Sequence, residues 1–149
     1  MKSILIASGF LIFAQSALAA PCTAVNSITK VKNRKVGIHE YVDFFVKAPF
    51  TGSVSVAAAT SGTFIQDGSG NPIVVAGNKW TDVKFKSMDW TCSSATSFAL
   101  PKPVLKDIKL IGQFEGQIEY GIGRHNGHYL GQTMVTVGSQ KRVTLKYGP

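Results

Sequence analysis

A group of cations near the start of the chain is its most distinctive chemical feature. Lys30, Lys32 and Arg34 occupy every second position of one segment, and Lys35 adds a fourth positive charge. Alternate side chains of an extended strand point to the same face, so the first three would form a positive surface that attracts an anionic polymer. A solvated sheet edge protected by lysines explains the same pattern, and the sequence leaves both interpretations open.

A later alternating segment carries Lys84 and Lys86 on its polar face and would extend this positive surface. The anionic polymers that such a surface suits are cell-wall polymers, lipopolysaccharide and acidic polysaccharide. Nucleic acid is not expected as a partner, because the chain lacks the signatures of the RRM and OB folds.

A glycine-flanked segment holds a second group of residues that could contact a ligand, namely Arg124, His125, His128 and Tyr129. Two histidines at this spacing could bind a metal ion, but no third ligand lies nearby in the sequence. We therefore expect solvated turn histidines and no metal, with a pH-sensitive surface as a weaker alternative. The Tyr129 ring, or that of Trp90, could stack on a sugar.

The sequence offers no convincing catalytic group. A serine nucleophile on a G-x-S-x-G turn is absent. The segment 67–71 has the alternating oxygen ligands of a calcium loop but lacks the acidic residue that closes one. Glu115 and Glu119 would lie about 13 Å apart on one strand face, which is too far for either glycosidase geometry. We expect a protein that is not an enzyme and that holds no cofactor.

The first nineteen residues predict export. Lys2 gives a positive start, the segment 4–14 is mostly apolar, and Ala17-Leu18-Ala19 ends it as an A-x-A cleavage site. The apolar segment is too short to cross a bilayer, so we expect cleavage after Ala19 and a secreted or periplasmic protein. The mature chain, residues 20–149, suits one domain, and its net charge falls from +8 to +7 because only Lys2 is lost.

Both cysteines, Cys22 and Cys92, remain in the mature chain. An even pair in an exported protein predicts a disulfide. Closing a loop of this length stabilises a fold by about 4 kcal/mol in the chain-entropy model. A metal or catalytic thiol is the rival interpretation, and the absence of any C-x-x-C spacing argues against it.

Short β-rich segments separated by Gly, Pro, Ser and Asn position these residues. In Tyr41–Lys47 the apolar Val42, Phe44 and Val46 alternate with more polar neighbours, as expected for an antiparallel strand. Eight or nine such strands without a long helix predict an all-β fold, an antiparallel sandwich or a partly closed barrel. The segments are Ile28–Val36, Tyr41–Lys47, Ser53–Ala59, Ile73–Ala76, Trp80–Met88, Val104–Ile111, Gly116–Ile122, Tyr129–Val137 and Lys141–Tyr147.

Four segments resemble the AMIN-like domain family of secreted and envelope proteins: Val36–Val46, Asp67–Gly77, Gly112–Gly123 and Arg142–Leu145. The third is the most specific, because its F-E-G and G-I-G are similar to a hairpin of that family. The resemblance implies a β-sandwich related to modules that localise proteins at the cell wall, without enzymatic chemistry.

The chain departs from this family at two positions. Phe44 follows Asp43 where the family usually has arginine, and Lys146 ends the last strand where an acidic residue is usual. If an Asp–Arg charge pair matters in the family, half of the pair is missing at each place.

These observations predict a monomeric, non-catalytic binding or localisation module of the cell envelope or extracellular space. Its expected partner is an anionic polymer or polysaccharide. The alternative is a secreted effector or inhibitor that binds a partner protein, and the residues alone do not decide between the two.

Overall fold

The computed structural model describes residues 22–66, 68–92, 97–99 and 102–149. The predicted signal peptide and Asp67 lie outside these ranges. The described residues form eleven strands and no helix, and none of them belongs to a helix long and apolar enough to span a membrane. In chain order the strands are β1 (Ile28–Val36), β2 (His39–Lys47), β3 (Val54–Ala59), β4 (Thr63–Ile65), β5 (Pro72–Val74), β6 (Lys79–Lys86), β7 (Ser97–Ala99), β8 (Leu105–Phe114), β9 (Gln117–Arg124), β10 (His128–Val137) and β11 (Gln140–Gly148).

Two antiparallel sheets form a sandwich. Sheet A has the strand order β1-β2-β11-β10, and sheet B has the order β3-β6-β9-β8-β7. Strands β4 and β5 form a separate hairpin. The predicted all-β antiparallel sandwich is thus confirmed, with more strands than the expected eight or nine. The two that the sequence analysis did not include, β4 and β7, have three residues each, which is too short for alternation to be visible.

The core lies between the sheets and follows the predicted alternation. Val42, Phe44 and Val46 of β2 are fully buried, as are Val83 and Phe85 of β6. The Phe44 ring centroid lies 5.1 Å from that of Phe85. Burying each such side chain contributes about 1.5–3 kcal/mol, so these two strands hold the sheets together.

The β4–β5 hairpin covers part of the outer face of sheet B. The indole nitrogen of Trp80 donates a hydrogen bond to the Val75 carbonyl, 2.9 Å away. Beneath the hairpin, Gly121 of β9 has no room for a side chain, because a Cβ there would lie 2.9 Å from both Phe64 and Val75. The glycine therefore allows the hairpin to lie directly on the sheet.

Cys22 and Cys92 form the predicted pair, with their Cα atoms 5.7 Å apart. The bond joins the segment before β1 to the loop that follows β6. Close by, the Asp89 amide donates a hydrogen bond to the Asn26 carbonyl at 2.9 Å. The two contacts fix the first strand of sheet A against the end of sheet B.

The carboxylate of Glu40, on β2, connects the two sheets inside the core. Its side chain is fully buried. One oxygen accepts the Val104 amide at 3.2 Å, and the other accepts the Leu105 amide at 2.7 Å. Because a buried carboxylate is costly unless it is hydrogen-bonded, these two amides make the burial tolerable and hold the start of β8 against β2.

Replacing this carboxylate tests its role. Glu40→Gln keeps the shape but turns an NH₂ donor toward one of the two amide donors. We expect this change to lower the free energy of unfolding by about 1–3 kcal/mol, measured as a shift of the urea midpoint. Glu115→Gln is the matched control, because Glu115 is exposed in the turn between β8 and β9. Equal midpoints for the two variants would contradict this role.

Candidate functional site

The outer face of sheet A gathers three of the predicted cations, Lys30, Lys32 and Arg34. Strand register aligns its side chains in three rows that cross β1, β2, β11 and β10 in that order. The rows are Arg34, Tyr41, Lys146 and Gly131, then Lys32, Asp43, Thr144 and Thr133, then Lys30, Phe45, Arg142 and Val135. Cations from β1 and β11 therefore flank the aromatic rings of β2. We call these three rows the cationic face.

The carboxylate in these rows, Asp43, is occupied by neighbours. One oxygen accepts the Arg34 side chain at 2.8 Å, and the other accepts the Thr144 hydroxyl at 2.5 Å. Asp43 is buried while Arg34 stays partly exposed. The acid therefore neutralises one cation and fixes its position, and the other four cations keep the face positive.

The guanidinium of Arg34 also lies over the Tyr41 ring, 4.0 Å from its centroid. A cation at this distance is attracted to the ring face. Arg34 is thus held by an acid and a ring together.

Two lysines of β1 lie side by side on the cationic face. Lys32 lowers the pKa of Lys30 through a side-chain hydrogen bond and through charge repulsion. Both residues are exposed. Like charges held this close favour an anion that bridges them, because the anion relieves the repulsion between them.

A shallow pocket of about 200 Å³ opens beside Tyr41 and Lys146, where the face reaches β10. Thr133 adds a hydroxyl group to its lining, the Thr144 hydroxyl already donates to Asp43, and Gly131 leaves one side open. The Tyr41 ring, the Lys146 ammonium group and the Thr133 hydroxyl together suit a polar, negatively charged group.

Three predicted lysines lie away from the cationic face. Lys35 registers with Glu40, whose side chain enters the core, so Lys35 is on the opposite side of β1 from Arg34. Lys84 and Lys86 lie on the outer face of sheet B, and Lys84 pairs with Glu119 at 2.7 Å. Lys84 and Lys86 therefore do not extend the β1 surface as expected, because they lie on sheet B and the β1 cations lie on sheet A.

The first residue of the glycine-flanked loop, Arg124, has a structural role. Arg124 is buried, and its side chain donates hydrogen bonds to the Thr81 hydroxyl and to the Gly127 carbonyl. His125 and His128 are exposed. Tyr129 packs on Tyr147 with ring centroids 5.7 Å apart. The loop therefore contributes exposed imidazoles beside β10, while Arg124 is not available to a ligand.

In the described part of the chain, no three His, Cys, Asp or Glu side chains come together as a metal site. The aromatic Trp90 is half-exposed and packs on Phe114, their centroids 5.9 Å apart. Phe114 registers with Gln117 at the β8–β9 turn of sheet B. This aromatic pair is thus separate from the cationic face.

Asp82 lies in a second cleft, between β3 and the β4–β5 hairpin. Burial raises its pKa, the nearby Glu119 raises it further, and Lys84 lowers it. When the pKa of a carboxyl is higher in the folded protein than in the unfolded one, the free energy of unfolding falls as the pH rises from the unfolded pKa to the folded pKa. At pH values above the folded pKa, the charged Asp82 disfavours the folded state.

Asp82→Asn should therefore raise stability at neutral pH, and the gain should disappear in acid, where wild-type Asp82 is protonated in both states. Urea midpoints measured across pH give the comparison. Asp89→Asn is a control in which the opposite effect is expected, because hydrogen bonds from Thr91 lower the pKa of Asp89. Removing this carboxylate should lower the free energy of unfolding at neutral pH and lower it less in acid. A gain from Asp82→Asn that is the same at all pH values would contradict the assignment.

No protein-family model, curated protein or solved structure matches this chain. The resemblance to AMIN-like domains therefore stays a prediction. Asp43, where the sequence departs from that family, pairs with Arg34 of the neighbouring strand at 2.8 Å.

Three residues of the cationic face were not predicted from the sequence: Tyr41, Arg142 and Lys146. In the last strand, Arg142, Thr144 and Lys146 alternate as Lys30, Lys32 and Arg34 do. That spacing was a usable signal for a second cationic strand. The spacing does not reveal strand order, so it could not predict that this second cationic strand lies two strands from β1.

Proposed function

We propose that this chain is an exported, non-catalytic binding module that attaches to an anionic polysaccharide of the cell envelope or extracellular space. The observation that supports this proposal is the composition of the cationic face. Five cations share it with one carboxylate that Arg34 and Thr144 already occupy. The cations are Lys30, Lys32, Arg34, Arg142 and Lys146.

The arrangement suits a linear polymer better than a small ion. The two cationic strands, β1 and β11, flank β2, and strands two apart are separated by about 10 Å. A chain lying along β2 would have positive charges on both sides. Phe45 beneath it would contact the apolar face of a sugar ring, whereas the Tyr41 ring is already covered by the Arg34 guanidinium.

Charge supplies the attraction and shape supplies the selectivity in this scheme. Exposed charges act over about 10 Å at 0.1 M salt, so the face would gather an anionic polymer before any close contact forms. The pocket beside Lys146 would then take one acidic substituent of the polymer. Binding would need no bond-making step, because the one carboxylate of the face is fixed as a structural partner of Arg34.

Charge reversal on the cationic face tests the proposal. Lys30→Glu with Lys32→Glu should reduce cosedimentation with an insoluble acidic polysaccharide, such as calcium-crosslinked polygalacturonate, by about tenfold or more. Arg34 is kept, because Arg34→Glu would place a second carboxylate beside Asp43 and disturb the fold. Neutral cellulose is the reference polymer for non-specific retention.

The matched control is Lys79→Glu with Lys86→Glu, which makes the same change in net charge on exposed positions of β6 in sheet B. This control should bind nearly as well as wild type, and wild-type binding should weaken steeply as salt rises. Equal losses in the two double variants, or binding that does not change with salt, would reject the cationic face as the binding surface.

A further inference from the structure

Strand β10 forms an edge of sheet A and pairs with β11 on one side alone among the described residues. It is ten residues long and contains neither proline nor a lysine, arginine, aspartate or glutamate. Natural proteins usually protect a long edge with charges, prolines or a covering segment. Apart from Tyr129 and Gly131, each residue of this strand is exposed, so the edge is open to pairing.

Both faces of β10 expose apolar side chains. Leu130 is 49% exposed, Met134 43%, Val135 42% and Val137 44%. Val135 and Val137 register with outer-face residues of β11, whereas Met134 registers with Val143, which faces the core. The side chains of an added strand point alternately to the two faces of the sheet. Such a strand would therefore have apolar contacts on both faces.

Gly131 opens a path from this edge to the cationic face. It lies in the row of Tyr41 and Lys146, and a side chain there would meet nothing within 4 Å. Its φ of +135° is a backbone conformation that favours glycine. The pocket lined by Tyr41, Lys146 and Thr144 is reached over this glycine. A long side chain from a strand beyond β10 could thus enter the pocket.

We propose that β10 binds an extended segment of an acidic partner protein by strand addition, with a glutamate of that segment crossing Gly131 to reach Lys146. Neighbouring strands are about 4.8 Å apart, so Lys146 would be about 10 Å from the added backbone. The extended side chains of glutamate and lysine together span that distance. Main-chain hydrogen bonds would supply affinity, and the pocket would supply the preference for an acid.

Charge favours an acidic partner over a second copy of this chain. The mature protein carries +7, obtained as +8 less Lys2, and β11 places Lys141, Arg142 and Lys146 next to the edge strand. A second copy would bring the same charges to the junction, and like charges close together are unfavourable. An acidic segment meets these cations with the opposite sign.

The probes for a test are short synthetic peptides of alternating valine and threonine with one central glutamate. Three forms are compared by fluorescence polarisation on the whole mature protein: the glutamate peptide, its glutamine version and a glutamate peptide N-methylated at alternate backbone amides. We expect the glutamine version to bind about fivefold more weakly, as an exposed ion pair predicts. The N-methylated peptide should lose at least about tenfold, because its donors are gone.

Protein variants locate the site. Lys146→Gln should remove the preference for glutamate over glutamine, while Lys30→Glu with Lys32→Glu should keep it, which separates the Lys146 pocket from the β1 lysines of the cationic face. Hydrogen exchange should slow at β10 amides and stay unchanged in β1 when the peptide is present. Equal binding of the N-methylated peptide, no binding of the glutamate peptide, or protection of β10 by self-association in sedimentation experiments would overturn the proposal.

Discussion

The buried carboxylate of Glu40 is the constraint on which the rest of the sandwich depends. It places a charge-bearing group between two apolar sheets, and the Val104 and Leu105 amides at the start of β8 satisfy it. Without those amides the burial would be strongly unfavourable. The contact therefore fixes β8 against β2, and β8 in turn supports β9 in the middle of sheet B.

Strand β2 links this core to the cationic face through the alternation of its side chains. Glu40 enters the core, whereas the next residue, Tyr41, lies on the outer face under the Arg34 guanidinium. Two residues further along, Asp43 holds Arg34 and Thr144 from the two neighbouring strands. One strand thus supplies a buried acid that joins the sheets and an outer acid that orders the cations. A shift of register by one residue would exchange these two sides and destroy both functions.

Local alternation made part of this structure predictable. It identified the buried and solvated sides of β2 and β6, and the cysteine count identified the pair Cys22 and Cys92. Strand order was not predictable in the same way, because β11 lies beside β2 although about 100 residues separate them in the sequence. This is why Lys84 was expected near the β1 lysines although it lies on the other sheet. The burial of Arg124 was missed for a related reason: its partner Thr81 is distant in the sequence.

The charges of the cationic face are related to the lack of charge on the edge strand β10 of sheet A. An open, apolar edge strand usually invites self-association. Here the cations of β11, immediately behind the edge, would face the same cations of a second copy, and this repulsion opposes pairing between identical chains. The positive net charge of the chain is therefore compatible with an unprotected β10. The same charges that would hold an acidic polymer on the face would also favour, at the edge, the proposed partner of opposite charge.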